Sequence, residues 1–330
     1  MKLLIAYDGS KSAEAAIDDL AAAGLPQVGA AEVISVAEVW LPPKEAIEAA
    51  VDFSSTYVES IVRALREKGE KILCEASIRV RHAEARVRAA LPNWQVDSFA
   101  TCGSPAFEIL AAAETGATDL IVVGSHGHSG ISRVVLGSIS HTVLTEAKCS
   151  VRVSRGKNEV DPAPARIVIG FDGSKGAFAA VDAVAARNWR PGTKVQLLAA
   201  TEPLMPSTIG RFIPPICKAV EEVNVSEDHW ITELAQAGLE RLRNAGLDAH
   251  FHMHPGNPKH LLVQEAGSWG ADCIFLGANA WGGRLARTLL GSTASAVAAR
   301  AHCSVEAVRI KEGMQASSGV TSDNGSSKRL

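Results

Sequence analysis

The sequence predicts an α/β protein made of two tandem units, each a doubly wound, largely parallel sheet. Three observations carry this. Short apolar runs alternate with stretches of helical spacing, the pattern of strand–helix–strand crossovers. A series of landmarks occurs twice in the same order. The 330 residues, 47% of them hydrophobic, correspond to about two domains with a core each.

In chain order, Leu3 to Ala6 is an apolar run ending at Asp8, as a buried strand does. Ala13, Ala16, Ile17 and Leu20 recur at the spacing of one helix face, and Gly24 supplies a stop. Glu32 to Val36 is a second strand, followed by a long helix-like stretch around Tyr57 to Lys68. Val96 to Thr101 is a third strand. Pro105 suits the first turn of a helix over Ala106 to Glu114. Asp119 to Val123 is a fourth strand, Ser138 to Glu146 a helix and Ser150 to Val153 the last strand.

The duplication is read from four landmarks. Asp8-Gly9-Ser10-Lys11 returns as Asp172-Gly173-Ser174-Lys175, and DLIVVG ending at Gly124 returns as DCIFLG ending at Gly277. Leu136-Gly137-Ser138 returns as Leu290-Gly291-Ser292, and AKCSV returns as AHCSV. The expected division is a first domain over 1–155, a linker over 156–165 with its prolines and mixed charges, and a second domain over 166–312. Residues 313–330, rich in Ser, Gly and Asn, are expected to form a disordered tail.

Composition narrows the function. Charged residues are 21% and the net charge is −3, which argues against a general nucleic-acid or anionic-membrane binder. The six cysteines form no CxxC pair and read as reduced thiols of a cytoplasmic protein. The opening MKLLIAYDGS is too short in apolar residues for a signal-peptide core. No uncharged apolar run approaches the ~20 residues of a membrane span.

The stretch GSHGHSGISRVVLGS, Gly124 to Ser138, carries the chemistry. Gly124 closes the fourth strand, so the loop lies at the carboxyl edge of the sheet, where such folds bind ligands. Gly124 and Gly127 let backbone N–H groups approach a ligand. Gly137 and Ser138 open a helix whose first N–H groups lack internal partners. Ser138 and Ser140 add hydroxyls, and Ser125 and His126 sit inside the loop. A strand end, a glycine loop and a helix start together suit an anion, above all phosphate. Asp8, ending the first strand, is placed for a ribose or base edge. Val36, ending the second, offers backbone bonds to a base.

These residues resemble the universal stress protein family. The first copy has that family's Gly-x-x-Gly, nine residues, Gly-Ser pattern without a gap. DGS after the first strand, GSPAFEIL before the fourth and AKCSVRV at the end belong to the resemblance. It implies a Rossmann-like fold with strand order 3-2-1-4-5 and ATP at the fourth-strand loop, with or without magnesium. Asp8, Val36, Gly124, Gly127, Gly137 and Ser138 are then the residues facing the nucleotide. It also implies that domains pair through their last strands, here within one chain, with Val151 and Val305 near the contact. A larger oligomer built on that unit stays open. In the second copy Ala280 stands where Gly127 stands, the gap to Gly291 is one residue longer, and Trp281, Gly282 and Gly283 fill the altered loop.

Other signals are read as structural. His250, His252 and His254 alternate along a strand, with no carboxylate or cysteine in the run, which suits a solvated edge face better than a metal site. His128 suits solvent better than phosphate, and Arg133, Arg287, Lys11 and Lys175 are placed either for phosphate or for a helix acid. Walker, GxSxG, HExxH and GxGxxG motifs are missing from the sequence. The expectation is an ATP-binding sensor or regulator of a stress response. Slow ATP hydrolysis at the same site and a nucleotide-free interaction scaffold are the alternatives.

Overall fold

The structure, a computed structural model, describes residues 1–41, 56–127, 136–155, 163–202, 214–278 and 290–310. His128, Arg133, Ala280, Trp281, Gly282, Gly283, Arg287, most of the linker and the tail lie outside the described residues. The first half runs β1 (Lys2–Ala6), α1 (Lys11–Asp19), β2 (Ala30–Ala37), α2 (Thr56–Ala90), β3 (Gln95–Cys102), α3 (Pro105–Thr115), β4 (Leu120–Gly124), α4 (Ser138–Glu146) and β5 (Ser150–Ser154). The second runs β6 (Arg166–Gly170), α5 (Lys175–Ala185), β7 (Lys194–Thr201), α6 (Pro214–Asn244), β8 (Asp248–Pro255), α7 (Pro258–Trp269), β9 (Cys273–Gly277), α8 (Ser292–Arg300) and β10 (Ser304–Val308). Among the described residues no helix is long and apolar enough to cross a membrane.

All ten strands form one sheet in the order β3-β2-β1-β4-β5-β10-β9-β6-β7-β8. Each half thus has the 3-2-1-4-5 order that the resemblance implied. The central pair is antiparallel, with Val153 opposite Val305, Arg152 opposite Glu306 and Val151 opposite Ala307. The last strands therefore do meet, with Val151 and Val305 in the contact. Residues alternate faces along a strand. Val151, Val153, Val305 and Ala307 join a core cluster that runs unbroken across both halves beneath α3, α4, α7 and α8. On the other face each half keeps its own cluster, under α1 and α2 in the first and under α5 and α6 in the second.

Helix α2 departs from expectation. It covers 35 residues, far past Lys68. Its carboxyl half buries Ala76, Val80, Ala83 and Val87 along one stripe, while Ile61 and Leu65 in its amino half are exposed. Gly69 does not end it. A Cβ there would stand 2.7 Å from Leu41 Cδ1, so the glycine marks a close crossing within a continuing helix.

On the face opposite the shared core, Arg152 and Glu306 are each 1% exposed. Arg152 Nε donates to Asp19 Oδ2 at 2.7 Å, and its Nη1 lies 3.2 Å from both Glu306 Oε2 and Cys273 Sγ. Arg187 donates to the other Glu306 oxygen, and Ser154 Oγ donates to Asp19 at 2.8 Å. Two cations meet two acids, so no net charge is buried. Burial alone would raise the Asp19 pKa, but Arg152 and the hydroxyl hydrogen bonds outweigh it and hold it below its ordinary 3.8.

Arg152→Met leaves two acids facing Arg187 alone and is expected to cost about 3–5 kcal/mol in denaturant unfolding. A cost within experimental error of zero would contradict this account. A carboxylate whose folded pKa is depressed stabilises the fold above its unfolded pKa and loses that contribution as pH falls through the folded value. Native stability should therefore decline once pH drops below about 4, and Asp19→Asn should flatten that decline.

Candidate functional site

The site is assembled by two chain reversals at the carboxyl edge of the first half. After β1, Gly9 takes the left-handed conformation, φ +82°, which glycine adopts at no steric cost. Asp8 Oδ1 accepts from Ser10 N–H at 2.9 Å, and Ser10 Oγ caps α1 by accepting from Ala13 N–H at 3.2 Å. The second copy builds the same turn. Gly173 has φ +72°, Asp172 accepts from Ser174 at 3.0 Å and Ser174 accepts from Ala177 at 3.1 Å. One oxygen of each aspartate is thus committed to the turn itself.

After β4, the loop is stitched to the start of α1. His126 N–H donates to Ser12 Oγ at 3.0 Å, Ser10 Oγ donates to His126 O at 3.4 Å, and the Ser12 and Ser125 hydroxyls are 3.5 Å apart. Ser125 Oγ also lies 2.9 Å from His126 Nδ1, while His126 Nε2 is buried without a hydrogen-bond partner. Gly137 N–H donates to Ser125 O at 2.9 Å, closing the loop onto α4. Gly137 is the α4 N-cap in extended conformation and offers no capping side chain, so among the described residues no side chain caps the first-turn N–H groups. Ser138, exposed, is the first helical residue.

The predicted residues divide into two sets. Asp8, Gly127, Gly137 and Ser138 converge: a Cβ on Gly127 would stand 3.0 Å from Asp8 Oδ2. Gly124 and Ser140 instead hold the frame. A Cβ on Gly124 would meet Ser12 C at 2.8 Å, so this glycine admits helix α1 against β4 and not a ligand. Gly277 answers the same need in the second copy against Gly176. The Ser140 hydroxyl, expected to face the ligand, is buried and donates to Gly124 O at 2.6 Å. Val36 pairs with Thr101 of β3, whereas β1 pairing stops at Ile34, which accepts from Tyr7 N–H at 2.9 Å. Two residues on, Val36 turns its peptide groups to the same side, beyond the end of β1.

Three residues of the site escaped the sequence reading. Ser10 and Ser12 were legible as hydroxyls just past DGS, and Ser12 becomes Gly176 in the second copy. Arg79 had no signal, since it lies far along α2. It packs over Gly9, its Cδ 2.9 Å from where a Cβ would be. In the second copy Leu234 and Trp230 cover Gly173 instead.

Burial pushes the thiol pKa of Cys149 and Cys303 up to about 11, and pushes that of Cys273 up as well. The five described cysteines outside α6 are free. The histidine run on edge strand β8 does have an acid neighbour, Asp248, whose Oδ1 lies 2.9 Å from His250 Nε2. His252 and His254 stack at 6.3 Å. Among the described residues no three His, Cys, Asp or Glu converge on a metal position.

The fold and this edge define a tandem, doubly wound α/β protein in which Gly137 and Gly291 each open a helix without a capping side chain, the first beside Gly127 and Asp8. A family model described as the universal stress protein family matches residues 1–155 and 165–309, and the chain belongs to that family. It is similar to the universal stress protein YxiE of Bacillus subtilis (strain 168), 29% identical over 154 residues, 47% of this chain and 98% of the relative. A universal stress protein of Thermus aquaticus is 30% identical over 154 residues, 46% of this chain and 97% of the relative. The crystal structure of a universal stress protein from Archaeoglobus fulgidus DSM 4304 shares the fold at a TM-score of 0.60 and 20% identity, covering 93% of this chain and 98% of that one.

The two classes of glycine are separable by experiment. Gly124→Ala and Gly277→Ala drive a methyl into backbone and should each destabilise the protein by about 1–3 kcal/mol. Gly127→Ala, at an exposed position, should stay within about 1 kcal/mol of the native chain. Thermal melts check this, and equal losses at Gly124 and Gly127 would contradict the assignment.

Proposed function

We propose that the chain binds ATP at the β4–α4 edge of its first half and acts as a sensor or regulator in a stress response. The observation that carries this is the start of α4. Gly137 leaves its first-turn N–H groups uncapped, and the backbone of Gly127 and Asp8 Oδ2 lie beside them. Phosphates suit that helix start. Asp8 and the unpaired edge of Val36 suit the ribose and base, and exposed Ser138 lines the approach, while Ser125 and His126, both expected to face the ligand, brace the loop through their own hydrogen bonds. Arg79 adds a cation over the Gly9 turn. The residues present therefore fit a nucleotide, and magnesium would arrive with the phosphates.

The second copy is less suited, because Trp230 and Leu234 close over Gly173 where the first copy has Arg79. Family matches at 1–155 and 165–309 support a division into domains over 1–155 and 166–312, joined by 156–165. Free cysteines support a reducing, cytoplasmic setting. Holding rather than turnover is the activity proposed. Efficient phosphoryl transfer needs a positioned metal and a group orienting the attacking water. Here the nearest acid, Asp8, has one oxygen fixed in its turn, and His126 is oriented by a serine, not by an acid.

Calorimetry on the full chain should show one ATP bound, lost in Gly127→Val, where a branched side chain would fill the phosphate approach. Two equivalent sites would refute the asymmetry, and an unchanged affinity in the variant would refute the site. Phosphate release with magnesium should be negligible over many minutes. Turnover near about 10 per second, abolished by His126→Ala and Gly127→Val, would make the protein a hydrolase instead.

A further inference from the structure

Arg155 and Arg309 hold equivalent places just past β5 and β10. Each backbone N–H donates to the serine that opens the other half's last strand, Arg155 to Ser304 at 3.0 Å and Arg309 to Ser150 at 3.1 Å. Each guanidinium then crosses to the end of the other half's last helix. Arg309 Nη2 caps α4 through the carbonyls of Leu144 and Thr145, at 3.1 and 3.0 Å. Arg155 Nη2 reaches a single α8 carbonyl, that of Ala299, at 3.3 Å. Its Nε and Nη1 are buried with no hydrogen-bond partner among the described residues. Burial lowers the Arg155 pKa, and the one group whose charge opposes this is Cys303. That thiol is itself held up at about 11 by burial, so it is neutral near pH 7 and supplies no counter-charge. A desolvated cation without an anion is costly.

A cavity of about 280 Å³ opens against Arg155 where the two halves meet. Trp189, Ala266 and Ala271 give it apolar wall, and Gly267 and His302 stand at its rim. The three acids along it are already engaged. Asp19 holds Arg152, Asp18 holds Arg86 at 2.6 Å, and Asp272 accepts from Arg166 N–H at 2.8 Å. The equivalent hollow of the first half differs in its charges. There Glu114 and Lys148 pair at 3.0 Å, and Arg309 is not part of the wall. Gly267 replaces that glutamate and His302 that lysine. The second half has therefore lost this acid–lysine pair, and among the described residues nothing replaces its acid beside Arg155.

We infer that the cavity between the halves is a second ligand site that takes a small organic carboxylate, its charge compensating Arg155 and its apolar body lying against Trp189 and the alanines. The volume is that of roughly nine waters, enough for a single small ring with one acid group. The inference does not depend on ATP binding in the first half.

The test is calorimetric titration of the full chain with benzoate and with its neutral isostere benzamide. Benzoate should bind with a dissociation constant on the order of 1 mM or tighter. Arg155→Met should weaken it about ten-fold or more, the worth of a charge-assisted contact. Gly267→Glu should do the same by supplying an internal acid. That variant should keep its melting temperature, since a Cβ at Gly267 meets nothing within 4 Å. It decides the matter if Arg155→Met does not fold. Gly127→Val should leave benzoate binding unchanged, which separates this site from the nucleotide edge. Absence of heat up to about 20 mM, equal binding of benzamide, or full benzoate affinity in Gly267→Glu would each overturn the inference.

Discussion

Everything else in the molecule is hung on the antiparallel join of β5 to β10, and on the buried arginine at its centre. Arg152 faces Glu306, the residue in its own place in the second copy. Two copies of one strand meeting about a twofold always bring that position against itself. An Arg–Glu combination meets the condition with opposite charges. Asp19 and Arg187, from the ends of α1 and α5, complete a neutral set. Because the join is antiparallel, the carboxyl edges of the two halves open at opposite ends of the sheet.

The glycines show how one residue type serves two purposes. Those at the ends of β4 and β9 exist because a helix start presses on them from inside the fold, Ser12 in one copy and Gly176 in the other. Those at 127 and 137 meet no such helix: a Cβ on Gly127 would face Asp8 Oδ2, and one on Gly137 the backbone of Ser125 and His126. The framework glycine recurs in the second copy, but the position of Gly127 is taken by Ala280. That is the pattern expected if the fold is required twice and the ligand once.

Much of this was legible in the sequence. Alternating apolar and helical runs, with landmarks repeated in order, sufficed for the sequence of strands and helices, and the resemblance supplied the strand order and the joining of the last strands, where Val151 lies opposite Ala307 and Val305 opposite Val153. What was hidden shares a physical cause. Arg152 in an apolar strand reads as a surface charge, because its partners Asp19 and Glu306 are remote along the chain. The length of α2 was hidden because its amino half exposes apolar residues and so lacks a clean stripe. Arg79 was hidden because nothing local announces what a helix reaches over. Ser140 was misjudged because a hydroxyl at a helix start points to a ligand or to a carbonyl with equal ease. Periodicity reports burial along one element; it is silent about which distant element a polar group will find.

The crossed arginines have a kinetic meaning. The last carbonyls of a helix need donors from outside it. Helix α4 receives its donor from Arg309 and α8 receives its donor from Arg155. Each helix gains this side-chain donor only when the opposite half has arrived, and the contacts that bring it join residues more than a hundred positions apart in sequence. Such distant contacts are slow to form. Each half thus lends its sibling a helix-end donor, and the closing of the ten-stranded sheet is the step that sets both in place at once.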